Sequence, residues 1–165
     1  MRVFFTSDYH LQHLKIIQYA NRPFVQNKLG MLECESLITK NYNKIVNEND
    51  FVVFIGDLSC SRNPNKYYIK NYIRALNGRK ILIKGNHDNL TDEFYFSLFE
   101  EIYDYLMIDN VMISHYPCVN EQTSNATDKE HHKLVQESET PITKIYHGHI
   151  HDKDPEQLFL DNIPT

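Results

Sequence analysis

Lys80-Ile81-Leu82-Ile83-Lys84-Gly85-Asn86-His87-Asp88 decides how this chain is read. Its first five residues read as a strand with an apolar centre, Ile81-Leu82-Ile83, between two lysines, and the glycine that follows hands over to an amide, an imidazole and a carboxylate. The arrangement recurs. Val3-Phe4-Phe5-Thr6 leads into Ser7-Asp8-Tyr9-His10, and Phe51-Val52-Val53-Phe54-Ile55 leads into Gly56-Asp57. Val111-Met112-Ile113 leads into Ser114-His115, and Ile142 to Tyr146 leads into His147-Gly148-His149-Ile150-His151. Polar residues placed just beyond apolar strands gather at one edge of a sheet, where α/β proteins carry their chemistry.

The segments between these strands read mostly as helices. Leu14, Ile16 and Ile17 suit a short helix that stops before Arg22-Pro23, and apolar positions at Cys34, Leu37, Ile38, Tyr42 and Ile45 recur at helical spacing from about 31 to 46. Asn63-Pro64 reads as a helix start, Ile69, Tyr72, Ile73 and Leu76 as its buried stripe, and Asn77-Gly78 as its stop. A short helix is expected from Thr91 to Phe99. The alternation from Ile102 to Ile108, followed by Val111 to Ile113, predicts a hairpin turning at Asp109-Asn110. The order β-helix-β followed by a hairpin predicts an α/β fold with mixed sheets. Residues from about 119 to 140 are polar and lack glycine, which predicts an insertion acting as a lid or a mobile loop, with Lys129 and Lys133 solvated or meeting a phosphate.

Composition bounds the possibilities. At 165 residues and 41% hydrophobic, the chain can bury one core, so a single domain over residues 1–165 is expected. A formal charge of −5, with no basic stripe beside the motifs, argues against extended nucleic acid as a partner. Cys34, Cys60 and Cys118 form neither a CxxC pair nor an even set, so no disulfide framework or thiolate cage is expected. No stretch approaches the roughly 20 apolar residues of a membrane span, and the start is too short for a signal peptide; a cytoplasmic location is the expectation.

The residue types gathered by the motifs suit two divalent cations. Two cations about 3.5–4 Å apart need hard oxygen and imidazole ligands and an anionic bridge. Asp57 is the candidate bridge, because one carboxylate can serve both ions. Asp8, His10, His115, His149 and His151 supply further ligands, and the amide oxygen of Asn86 binds without adding charge. Low ligand charge would let the pair ionise a bridging water near neutral pH, which is the chemistry of phosphate-ester hydrolysis. His87 is the candidate proton donor to the leaving oxygen, with Asp88 fixing its tautomer. Mn²⁺ is the expected metal, and Fe, Ni²⁺ or Zn²⁺ fit the same donors. Three of the five glycines, Gly56, Gly85 and Gly148, fall in these motifs, where tight turns would bring ligands together. His131-His132 reads as solvated, His147 as a strand end, and His13 as a helix start or a substrate contact.

The order D-x-H, GD, GNHD, H, GHxH resembles that of the calcineurin-like metallophosphoesterase superfamily. Phe5 to His10, Asn21-Arg22-Pro23-Phe24, Leu76 to Lys80, Ile83 to Asp88 and Ile113 to Pro117 further resemble a small bacterial and phage subgroup of it. The resemblance implies two mixed β-sheets packed as a sandwich between helices, in four layers αββα, and metal-dependent hydrolysis of phosphomonoesters or phosphodiesters. It implies one metal held by Asp8, His10, Asp57 and His151, the other by Asp57, Asn86, His115 and His149, and His87 as the catalytic histidine. A phosphodiesterase acting on a nucleotide or nucleic-acid-derived diester is expected, with a phosphomonoesterase or a non-catalytic metal-binding scaffold as the alternatives. Two departures stand out: only Asp152 to Thr165 follow GHxH, and the 119–140 insertion is long for the subgroup.

Overall fold

The computed structural model describes residues 1–60, 63–118 and 125–151. Part of the expected insertion, 119–124, and the C-terminal stretch after His151 lie outside the described residues. Four parallel strands form the first sheet in the order β1 (Val3–Thr6), β2 (Phe51–Ile55), β3 (Arg79–Ile83), β4 (Glu101–Tyr103). Its crossovers carry α1 (Ile16–Tyr19), α2 (Lys28–Ile45), α3 (Lys66–Arg74) and α4 (Asp92–Phe96). A second, mixed sheet follows: β5 (Tyr105–Ile108) runs antiparallel to β6 (Val111–Ser114), and β6 runs parallel to β7 (Lys144–Tyr146).

The alternation of side chains along β2 sorts the layers. Val52 and Phe54 join Leu82 of β3 in a core closed by Tyr42, Ile69, Ile73, Leu76 and Tyr95 from the helices. Val53 and Ile55 point the other way, and with Ile83 they meet Ile113, Leu106 and Tyr146 of the second sheet. A strand covered on both faces has no position for a polar residue, which explains the unbroken run Phe51 to Ile55. The outer face of the second sheet, through Met112, Ile145 and Tyr105, packs with Val135 of α5 (Ala126–Gln136). The layers are therefore helices, sheet, sheet, helix, as expected.

Three expectations are corrected. The alternation from Ile102 to Ile108 is two strands of different sheets, broken at Asp104: β4 extends the first sheet, and only β5 forms the hairpin with β6. The cap of α3 is Asn65, whose side chain accepts from Tyr68 N, not Asn63, and the helix ends at Arg74 with Ala75 as its C-cap. Residues 126–136, expected within a mobile polar loop, form α5, capped by Asn125 through Thr127 N and Asp128 N. Its inward face is polar. His131 Nδ1 lies 2.9 Å from Ser114 Oγ, His132 Nδ1 2.6 Å from the carbonyl of Cys118, and Asp128 accepts from Cys118 N at 3.2 Å. His131 and His132 are thus buried rather than solvated. Lys129 and Lys133 do face outward, Lys133 pairing with Glu137 at 3.6 Å. No helix among the described residues is long and apolar enough to cross a membrane.

If α5 is a structural layer, its backbone amides should exchange with deuterium as slowly as those of β6. Exchange at free-peptide rates across 126–136 would restore the mobile-loop reading.

Candidate metal centre

Parallel pairing continues beyond the strands into the loops that carry the candidate ligands. Asp8 N donates to the Gly56 carbonyl at 3.1 Å, His10 N to Asp57 at 2.9 Å and Leu11 N to Leu58 at 2.9 Å. The β6 and β7 loops are joined likewise, Gly148 N donating to the His115 carbonyl at 3.2 Å. Asp8 bridges the two sheets, since its carboxylate accepts from His149 N at 3.1 Å. The sandwich thereby brings residues 8 and 149, far apart in sequence, to one place.

Two donor clusters result, and one carboxylate joins them. The donor atoms of Asp8, His10 and His151 lie within 4.8 Å of one another, as do those of Asp57, His115 and His149. Asp57 Oδ2 stands between the clusters, 3.5 Å from His10 Nε2 and 3.4 Å from His115 Nε2. Asn86 Oδ1 is 3.1 Å from His115 Nε2, and His149 Nδ1 is 3.2 Å from that same nitrogen. All seven ligands proposed from sequence therefore converge. The other oxygen of Asp57 accepts from His87 N at 2.9 Å, and His115 Nδ1 sits 3.0 Å from the Ile55 carbonyl. Those contacts fix both side chains and leave Asp57 Oδ2 and His115 Nε2 facing the centre.

The motif glycines work mainly through close approach. A Cβ on Gly85 would lie 2.4 Å from Asp57 Oδ1, one on Gly148 2.4 Å from Asp8 Oδ2, and one on Gly56 2.5 Å from His115 Nδ1. Only Gly56, at φ +75, also needs the left-handed conformation. The strain falls instead on the ligands: Asp8, His10, Asp57, His149 and His151 all have positive φ. Such backbone costs roughly 1–3 kcal/mol per residue and collects at functional sites.

Charge and burial fit divalent cations. Burial favours protonated Asp57, yet the hydrogen bond and charge of His115, with the His87 N–H and the charge of His10, hold it at about 2. Burial likewise opposes ionisation of Asp8, but His10 and Ser7, with His115 and His151, bring it below the usual range. His149 and His151 are held low, chiefly by burial, which favours the neutral imidazole that binds a metal. His10 is 3% exposed, and neither ring nitrogen has a hydrogen-bond partner among the described residues. A buried polar atom so placed costs roughly 1–3 kcal/mol, a cost that coordination removes. The donor set fits a pair of divalent cations.

Asp88 requires a correction. Its oxygens accept from Asp57 N at 2.8 Å, Leu58 N at 2.9 Å and Gly85 N at 2.9 Å, and it makes no hydrogen bond to the His87 ring. It ties the β2 and β3 loops together, and burial pushes its carboxyl up to about 6 against those donors. The ring of His87 instead meets Cys60, with Nδ1 3.2 Å from Sγ. Arg22 was also missed as a site residue; it braces the first loop, donating to the carbonyls of Asp8 at 2.8 Å and Tyr9 at 3.3 Å. Glu35, buried on α2, takes Gln12 N at 2.9 Å and the Tyr68 hydroxyl. Contacts to main-chain atoms leave no mark in sequence spacing, although Arg22 lies in the quoted Asn21-Arg22-Pro23-Phe24.

The model of the calcineurin-like phosphoesterase family matches residues 1–162. An uncharacterized protein of Methanocaldococcus jannaschii is 37% identical over 93 residues, covering 56% of this chain and 50% of that protein. The matched region thus spans half the length of that relative. The Gene 66 protein of Mycobacterium phage L5 is 25% identical over 167 residues, covering 89% of this chain and 76% of that one. The crystal structure of a protein of unknown function from Aquifex aeolicus superposes with a TM-score of 0.69 at 29% identity, covering 90% of this chain and 79% of that one.

Saturating Mn²⁺ should raise the Tm of metal-stripped protein, since a ligand at 100 times its Kd stabilises by about 2.7 kcal/mol. Asp57→Asn and Gly85→Ala should each lose most of that shift. An unchanged Tm in the parent protein would contradict the cation reading.

Proposed function

The chain belongs to the calcineurin-like phosphoesterase family, and from that membership we propose a phosphodiesterase that uses two divalent cations on a nucleotide or nucleic-acid-derived diester. The family's chemistry is metal-dependent phosphoester hydrolysis, which the chain shares. The observation that carries the two-cation reading is Asp57 Oδ2, placed 3.5 Å from His10 and 3.4 Å from His115 between two three-donor clusters.

Asp8, His10, Asp57 and His151 would hold one cation, and Asp57, Asn86, His115 and His149 the other. When bound, such a pair supplies Lewis acidity and lowers the pKa of water at neutral pH. The remaining work belongs to side chains. His87 Nδ1 faces Cys60 Sγ, which leaves Nε2, without a hydrogen-bond partner among the described residues, to give its proton to the departing oxygen. The His87 N–H meanwhile holds Asp57 Oδ1, so the residue positions the bridge with its backbone and serves the leaving group with its ring.

The ion-pair partners of Asp8 and Asp57 among the described residues are all histidines, and the guanidinium of Arg22 is committed to main-chain carbonyls. The diester is the substrate class we assign, and comparison with monoesters tests it. Mn²⁺ is the metal we assign, on the oxygen donors of Asp8, Asp57 and Asn86, while the imidazoles also suit Fe, Ni²⁺ and Zn²⁺.

Metal-reconstituted protein should cleave linear or cyclic nucleotide diesters faster than the matching monoesters. The reverse preference would make it a phosphomonoesterase, and no turnover with any metal would leave a binding scaffold. His87→Ala should retain its metals and lose roughly 10²–10⁴-fold in kcat on a diester with a poor leaving group, with a smaller loss on an activated aryl diester. Equal losses on both would assign His87 to phosphate positioning.

A further inference from the structure

A third group of donors lies beside the two-cation centre and differs from it in kind. The donor atoms of His10, His13 and Cys60 fall within 4.8 Å of one another. Cys60 and His13 belong to neither of the other clusters. Sulfur with two imidazoles is a donor set for zinc-like cations, whereas each of the other clusters has a carboxylate in place of the sulfur and accepts harder ions.

The imidazoles of this group lack partners. His13 Nδ1 is buried without one among the described residues, and so are both nitrogens of His10, a side chain almost wholly buried. His10 Nε2 is near Asp8 and Asp57, at 3.7 and 3.5 Å, and its second nitrogen is left without an assigned role. The rings of His10 and His13 lie 5.6 Å apart between centroids. Three side chains from two loops thus converge with most of their lone pairs or protons unused. Gln12, between two of them, is fixed by Glu35 and by Asn65 N, which holds the His10 to His13 turn in place.

We propose that Cys60, His13 and His10 form a further cation site, selective for thiophilic divalent ions such as Zn²⁺, Co²⁺ and Cd²⁺ over Mn²⁺. Binding exchanges the Cys60 S–H bond for a sulfur–metal bond and, where His10 serves both centres at once, its ring N–H bond for a second nitrogen–metal bond; each proton passes to solvent, so no oxidant or reductant takes part. The sulfur so engaged is the one that His87 Nδ1 faces, and the imidazole of His10 is shared with the Asp8 cluster. Occupancy of this site therefore acts on the hydrolytic centre from its side: thiophilic cations inhibit a Mn²⁺-loaded enzyme. The coordination itself does not depend on the phosphodiesterase reading.

Co²⁺ titration of the full chain under reducing, anaerobic conditions tests it. A near-ultraviolet sulfur-to-cobalt charge-transfer band should grow to one thiolate per chain, be displaced by Zn²⁺ but not by Mn²⁺, and vanish in Cys60→Ser. His13→Ala should weaken it by at least the 10–100-fold that loss of even an outer-shell partner costs. Cys34→Ser and Cys118→Ser should keep it, because those thiols are buried elsewhere. On the unmutated protein, Cd²⁺ should protect Cys60 from alkylation, read by mass spectrometry, where Mn²⁺ does not. Absence of the band in excess Co²⁺, its persistence in Cys60→Ser, or equal protection by Mn²⁺ would overturn the proposal. Each readout reports sulfur coordination rather than turnover, so it can fail in an active hydrolase and succeed in an inactive protein.

Discussion

A carboxylate that is 1% exposed and whose ion-pair partners among the described residues are imidazoles sets the terms for this fold. Asp57 sits where the first sheet meets the second, and an ion there is tolerable only if cations or their equivalent stand on both sides. The surrounding structure is arranged to keep it ionised and aimed. Asp88 grips its N–H, the His87 N–H holds Oδ1, and Gly85 leaves room for that same oxygen, which a Cβ there would strike. His115 supplies part of the compensation, its pKa raised against burial by Asp57, whereas burial keeps His149 and His151 toward the neutral form. Divalent cations compensate strongly.

The same requirement accounts for where the backbone is strained. Five of the seven proposed ligands hold positive φ, a conformation that asparagine, aspartate and histidine tolerate better than β-branched residues. Asp57 follows β2, a strand paired on both sides, whereas Asp8 and His10 follow β1 and His149 and His151 follow β7, the edge strands of their sheets, whose loops are held by hydrogen bonds to the loops of the neighbouring strands. The hydrogen bonds from Asp8 N to Gly56 and from His10 N to Asp57 carry the sheet register into the ligands themselves. A shift of one residue between β1 and β2 would move both Asp8 and His10 out of reach of Asp57.

How far this was legible in sequence follows from the kind of signal each part leaves. The strands and the ligands beyond them were plain, because Phe51 to Ile55 and Ile81 to Ile83 are apolar runs that lead into glycine and polar donors. The helix that supplies the fourth layer was hidden because α5 buries Asp128, His131 and His132, so its inward face looks like a solvated one until Ser114 and Cys118 are seen opposite. The break at Asp104 was hidden because the alternation of β4 continues in step into β5, although the strands belong to different sheets. Asp88 was read as the partner of its neighbour His87, when its oxygens serve main-chain N–H groups of two other loops. Spacing finds side chains that share an edge, whereas contacts to backbone atoms emerge only once the sheets are folded together.

The central claim is that Asp57 couples two cations into one centre, and electron paramagnetic resonance of the Mn²⁺-loaded chain tests it directly. Two ions about 3.5–4 Å apart across a shared carboxylate should give the multiline spectrum of an exchange-coupled pair at two manganese per chain, reduced in Asp57→Asn to uncoupled signals. A six-line spectrum of isolated ions in the fully loaded parent protein would contradict the account.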